Sequence, residues 1–354
     1  MNLKKKLAIA AILTASAASA ASAFAATVLT YGEPGPNRGS RAKATEWFAH
    51  EVDKRSGGDL KIDIMWGGAL FKANASRQSI ATGVSDMGTI IADYFPKEMV
   101  SYSLTNLPFK NQDPWVGLKA SFDHMNSADI TRNLAKQNLA FVTSYTVSDV
   151  ILMCKGDAVR SIADIKGKKI RGVGVYGKIF GDLGANLVGM SIYKAYQGLD
   201  NGLIDCSQGY KSSSKALKHH EVADNLTQLY WGIYTGLGMF INKDVQARLT
   251  PSQRKVLDEV GADFIDYLSR EVMNNDNAAI KAMGSGINGR KIDIFSLSST
   301  DSEKLISAGE PYIAKWAENA SKVGLNGKEL VATYKASLTK YSKERDDKGY
   351  PWSR

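Results

Sequence analysis

The chain has 354 residues, with 45 Lys and Arg against 36 Asp and Glu and a formal charge of +9. That length suits two domains of ordinary size, and it can bury a core without metal or disulfide staples. The basic excess is spread along the sequence rather than gathered into a stripe, which argues against a nucleic-acid partner. The four histidines, His50, His124, His219 and His220, lack metal-ligand spacing, and there is no G-x-S-x-G nucleophile elbow. No cofactor, metal or catalytic group is therefore expected.

Residues 1–25 read as a secretory signal. Lys4, Lys5 and Lys6 form a positive start, 7–21 are apolar and small, and Ala23-Phe24-Ala25 fits a signal-peptidase site after Ala25. Cleavage would remove three lysines and no acid, leaving +6. No later stretch is long and apolar enough to span a bilayer. Export to an oxidising compartment leaves two readings for Cys154 and Cys206: a disulfide, if their strands are neighbours, or two buried thiols.

A strand over 28–31 ends in a Gly/Pro loop, 32–39. A helix capped near Ser40 follows, with Ala44, Phe48 and Val52 on one face and Ser56-Gly57-Gly58 as its stop. Leu60, Ile62, Ile64 and Trp66 alternate as a strand. Strand, helix, strand is the unit of a parallel α/β sheet. Next come a short helix over 75–83, a buried strand over 86–91 and a helix from Pro114 to about Gln137. Strands follow over 139–145, 149–154 and 169–173, then helices over 180–187 and 192–201. After a strand over 236–242, Thr250 and Pro251 supply an N-cap and a first-turn proline for helices to about Met283. A last strand covers 291–295, and 302–341 is helical with a break at Gly324–Gly327; the charged tail, 343–354, should fray. The chain crosses between sheet regions near 145–149 and again near 234–238. That predicts two lobes joined by several strands around a cleft. Residues 26–146 with about 238–285 would form one lobe, 147–237 with about 286–320 the other, and 321–354 the C-terminal helices and tail.

Two motifs compete in the second lobe. Gly172-Val-Gly-Val-Tyr-Gly177 matches G-x-G-x-x-G after a strand, the pattern of a secreted nucleotide-dependent enzyme. The strand before it is short and charged, and no ribose-binding acid ends a second strand about 20 residues on. A flexible turn is the plainer reading. Arg171 ends that strand, where a guanidinium can reach a cleft and grip a carboxylate with two hydrogen bonds. Taken alone, this pattern also fits a solvated surface arginine.

The run Ser161-Ile-Ala-Asp-Ile-Lys-Gly-Lys-Lys-Ile-Arg171 resembles the P-x-D-L-K-G-x-K-I-R stretch of TRAP-transporter periplasmic binding subunits, the DctP-like family. The likeness continues upstream through Gly67–Leu70, Gly83–Asp86 and Leu107–Phe109. Downstream it runs through Tyr193–Gly198, Gly202–Asp205, Glu221–Thr227 and Leu249–Gln253, nearly the whole chain. It implies an α/β two-lobe periplasmic binding fold, each lobe a mixed sheet flanked by helices, with a long C-terminal helix spanning both. It also implies a monomeric periplasmic receptor that carries a small organic anion to the small and large TRAP permease subunits. Alternatives are an ABC-type or sensor-linked binding protein of the same fold. Arg171 sits at the family's carboxylate-binding arginine. Gly209 stands where the family has a ligand-side Asn, Tyr210 follows it, and a second family arginine has no counterpart at Tyr145–Ser148. Glu33, Asn37 and Arg38 of the first loop are candidates for a second oxyanion or hydroxyl. Tyr94, Phe95, Trp231 and Tyr234 are candidates for an aromatic wall, or for ordinary core and hinge packing, and Tyr145 is a further candidate ligand contact. A monocarboxylate, dicarboxylate, keto acid, aromatic acid or sulfonate would fit this set.

Overall fold

The computed structural model describes residues 26–354, so the expected signal segment lies outside the described residues. One five-stranded sheet has the order β2 (Leu60–Met65), β1 (Thr27–Gly32), β3 (Met87–Ile91), β10 (Leu237–Asn242), β4 (Leu139–Tyr145). A six-stranded sheet has the order β11 (Asp293–Ser296), β9 (Asn225–Ile233), β5 (Asp149–Cys154), β8 (Cys206–Tyr210), β6 (Lys169–Arg171), β7 (Asn186–Val188). Both sheets are mixed. β1 and β2 run parallel with Leu29 beside Ile62, while β10 runs antiparallel to β3 and β4. In the second sheet β5 lies antiparallel to both β8 and β9. Every residue of β3, β5 and β10 is buried, which is why these segments read as apolar runs rather than alternating ones.

The sheets belong to two lobes joined where β4 passes into β5 and β9 passes into β10. The crossing strands hold each other: Tyr234 O accepts from Val147 N at 3.3 Å and Thr146 Oγ1 at 3.1 Å, and Tyr234 N donates to Ser148 O at 3.2 Å. The third link is the helix Pro251–Ser285, whose 35 residues extend about 50 Å. It packs on Phe48 and Tyr145 of the first lobe through Phe264, and it runs on to Ala279 and Met283 in the core of the second. Its start is the expected one. Thr250 Oγ1 accepts from Gln253 N, and Gln253 Oε1 accepts from Thr250 N, a reciprocal cap.

Several sequence expectations are corrected. The first helix is Gly39–Arg55 with Arg38 at its N-cap, so Ser40 lies inside it. The expected helix 114–137 is two, Pro114–Met125 and Ala128–Ala135, interrupted at Asn126 and Ser127. The helix expected over 180–187 runs instead from Gly174 to Asp182, and 186–188 form β7. The charged tail does not fray. The helix Gly327–Lys348 runs through it, and Arg345 and Tyr350 both bond Asp113 Oδ2, at 2.9 and 2.7 Å. Helices Glu310–Lys322 and Gly327–Lys348 pack on the first lobe, with Trp316 Nε1 donating to Val100 O at 3.1 Å. Among the described residues no helix is long and apolar enough to cross a membrane.

Cys154 and Cys206 stand opposite each other on β5 and β8, with Cα atoms 4.0 Å apart, and form a disulfide. Both are fully buried.

Candidate functional site

A cavity lies between the lobes beside the crossing strands. Its walls come from the start of the first helix (Arg38–Arg41), from Ile91 and Tyr94 after β3, from Thr146 and Val147 at the crossing, and from Arg171 and Val173. Ile192, Tyr193, Tyr210, the turn Ser212–Leu217, Tyr234, Leu237 and Val272 complete it. Its volume is about 70 Å³, where one water needs roughly 10–15 Å³. That is room for a small molecule.

Arg171 ends β6 and reaches this cavity, yet it is 1 % exposed. Its Nε donates to Met190 O at 3.0 Å, one Nη1 N–H to Gln208 O at 3.0 Å and one Nη2 N–H to Tyr94 Oη at 3.4 Å. A guanidinium has five N–H donors. One N–H on each Nη is left, the pair that can hold two carboxylate oxygens side by side. Among the described residues no Asp or Glu forms an ion pair with Arg171, although Arg41, Lys211 and Arg345 all have such partners. Burying a cation without an anion is costly, because an interior of low dielectric cannot replace its hydration.

Tyr94 joins the lobes. Its hydroxyl accepts from Arg171 and from Ile192 N at 3.0 Å, so its own proton is free for another acceptor. Tyr234 lines the cavity and donates to Asp93 Oδ2 at 2.8 Å. Burial pushes the Asp93 carboxyl up to about 6, against hydrogen bonds from Tyr234 and Asn106 and the charges of Lys178 and Arg171. Asp93 also explains the middle glycine of the motif, while Gly172 and Gly177 pack on each other. Gly174, at φ +62°, begins the helix Gly174–Asp182, and a Cβ there would fall 2.0 Å from Asp93 Oδ2. The bare backbone lets the two lobes meet.

The sequence candidates divide. Arg171, Arg38, Tyr94, Tyr210 and Tyr234 line the cavity. The others lie off its wall. Asn37 is exposed and donates to Glu46 Oε1 at 2.7 Å. Phe95 belongs to the core of the first lobe. Tyr145 is wholly buried and bonds Tyr31 and Thr45 at 3.0 and 2.8 Å. Trp231 is wholly buried between Tyr176 and Phe180, with ring centroids 4.7 and 5.3 Å away. Gly209 is paired inside β8, where a Cβ would lie 2.5 Å from Ser214 Oγ, so the helix Lys211–Ala216 leaves no room for an Asn. Glu33 sits one layer back. Its Oε1 accepts from Gly35 N at 2.6 Å, its Oε2 from Thr89 Oγ1 at 2.6 Å, and Arg41 Nη1 lies 3.2 Å from Oε1.

Arg41 is a wall residue that sequence reasoning missed. It lies one turn beyond Arg38; both reach the cavity, but Arg38 is the extended, exposed N-cap residue, whereas the Arg41 side chain is largely buried. Its Nη1 also donates to Tyr193 Oη of the other lobe at 2.8 Å.

Two α/β lobes that enclose a small polar-anchored cavity at a crossing of strands define a ligand-binding protein of the two-lobe type. The chain belongs to the DctP family, bacterial extracellular solute-binding protein family 7, whose model matches residues 32–319. It is 26% identical over 287 residues to a solute-binding protein of Albidiferax ferrireducens, covering 78% of this chain and 77% of that one. Its fold is similar to a marine metagenome TRAP solute-binding protein specific for aromatic acid ligands, in complex with metahydroxyphenylacetate. That match has a TM-score of 0.77 at 25% identity, over 89% of this chain and 99% of that one. A TRAP periplasmic solute-binding protein from Bordetella bronchiseptica with bound (R)- and (S)-mandelate gives a TM-score of 0.80 at 19% identity, over 89% and 99%.

Proposed function

We infer that this chain is the extracytoplasmic receptor of a TRAP transporter, exported by cleavage after Ala25, which closes on a small organic acid and carries it to the permease subunits. The observation that supports this most is Arg171, a buried cation on the cavity wall with one N–H on each Nη unpartnered and no acidic partner among the described residues. A carboxylate supplies the missing charge. The rest of the wall favours an apolar body, since Ile91, Val147, Val173, Ile192, Leu217, Leu237 and Val272 surround the tyrosines. The aromatic acids bound by the two structural relatives are in keeping with such a wall. Ligand held by Arg171 of one lobe and Tyr94 of the other makes contacts that only the closed arrangement offers, so binding shifts the population toward closure.

A thermal-shift screen over organic acids tests this, each acid paired with its primary amide. A specific ligand of the native state must raise Tm. The acids should do so and the amides should not; equal shifts from both members of a pair would sink the carboxylate reading.

Asp93 adds a pH dependence. A ligand carboxylate at Arg171 brings a negative charge near an ionised Asp93, which disfavours that ionisation. Affinity is therefore expected to rise by about three- to tenfold as pH falls from 8 to 5.5, while the ligand stays ionised. The sign for stability agrees. A carboxyl raised from 3.8 to about 6 in the folded state loses stability as pH rises through that window. Calorimetry of Asp93→Asn should show a flat profile; a slope unchanged from wild type would exclude Asp93 as its source.

A further inference from the structure

We propose that Arg41 selects among organic acids, donating to an uncharged acceptor at the far end of the ligand and disfavouring a second carboxylate there. This rests on Arg171 as the carboxylate anchor and adds the ligand class.

Arg41 differs from Arg171 in one decisive respect. Its guanidinium is already balanced, by Glu33 Oε1 at 3.2 Å. The Glu33 side chain is wholly buried and is fixed from the other side by Gly35 N and Thr89 Oγ1. The pair as a whole carries no net charge. A second carboxylate brought to it would meet the buried Glu33 as well as Arg41, with little net attraction to offset its desolvation. A hydroxyl or carbonyl oxygen avoids that cost and still accepts a hydrogen bond. Donors remain: only Nη1 of Arg41 has hydrogen-bond or ion-pair partners among the described residues, Glu33 and Tyr193. The Tyr193 hydroxyl, accepting from Arg41, keeps its own proton for the same acceptor.

The position is built. Gly35 lies against the guanidinium so closely that a Cβ there would fall 1.7 Å from Arg41 Nη2. The Gly/Pro loop after β1 thus forms a seat for Arg41, and the Glu33 side chain within that loop orients it. Charge fixed in this way costs little to reorganise when ligand arrives.

Calorimetry with two matched triplets tests the proposal: phenylacetate, 3-hydroxyphenylacetate and 3-carboxyphenylacetate; and butyrate, 4-hydroxybutyrate and succinate. For wild type the hydroxy acid should bind tightest, at least tenfold better than the dicarboxylate of its triplet. Arg41→Ala should abolish the advantage of the hydroxy acid and leave the unsubstituted acid within about twofold. Gly35→Ala should act in the same way, by displacing the guanidinium without removing its charge. Glu33→Gln should bring the dicarboxylate level with the hydroxy acid or above it. Wild-type preference for a dicarboxylate, or an equal loss for all members with Arg41→Ala, overturns the proposal; the latter is the result of a strap between lobes that reads nothing. Binding of none of the six also overturns it. Arg171→Ala separates the two readings: a triplet acid bound undiminished by that variant refutes the anchor rather than the selector.

Discussion

Arg171→Ala is expected to weaken binding of the cognate acid by roughly thirtyfold to several thousandfold, the 2–5 kcal/mol that follows when one partner of a buried, hydrogen-bonded charge pair is truncated. The loss is large because no other buried cation at the site can replace the charge; Arg38, on the same wall, is exposed. Arg41 is committed to Glu33, and Lys211 to Asp149 at 3.0 Å. Stability should move little in the ligand-free protein. The variant frees two backbone carbonyls, Met190 O and Gln208 O, but it also removes a buried cation that has no anion. Tm is expected within a few degrees of wild type. Arg171→Lys should recover only part of the affinity, since an ammonium cannot present two parallel N–H groups. Calorimetry with the best acid from the screen reads both variants; undiminished affinity in the alanine variant would remove the anchor.

The second large effect concerns the disulfide. Cys154 and Cys206 close a loop of 52 residues across β5 and β8. The loss of chain entropy in the unfolded state for a loop of that length corresponds to about 4 kcal/mol. The double variant Cys154→Ser, Cys206→Ser should therefore lower Tm by about 10 °C, with the second lobe opening first. Ligand binding below the transition should persist, because neither sulfur touches the cavity. Thiol titration of the denatured, unreduced protein should find no free thiol, and two would contradict the pairing.

Much of the scaffold was legible because it rests on local signals. The opening strand, helix and strand follow from the apolar spacing of Ala44, Phe48 and Val52 and the alternation from Leu60 to Ile64. Thr250, Pro251 and Gln253 announce the start of the long helix. β8 was misplaced, expected to end near Cys206 rather than to begin there, because Cys206-Ser-Gln-Gly-Tyr210 has neither alternation nor β-branched residues; β5 and β6 on its two sides make it a strand. The helix Gly174–Asp182 was misplaced because its glycines read as a turn, whereas Gly174 is there to admit Asp93. The ordered tail depends on Asp113, more than 200 residues away in sequence.

The site follows the same division. Arg171 was visible through its motif. Phe95 and Trp231 were candidates for an aromatic wall and Tyr145 for a ligand contact, and the core claims all three. Arg41 carried no motif. Its signal is the acid of Glu33 in a Gly/Pro loop, and that becomes meaningful only once the loop is seen to bury the carboxylate beneath the helix start.

The most direct measurement is a crystal structure of the protein with the tightest acid from the screen. The expected result is a carboxylate with its two oxygens on Nη1 and Nη2 of Arg171, inside the cavity and beneath Tyr94. A carboxylate bound elsewhere, with Arg171 still bonded only to Met190, Gln208 and Tyr94, would contradict the account.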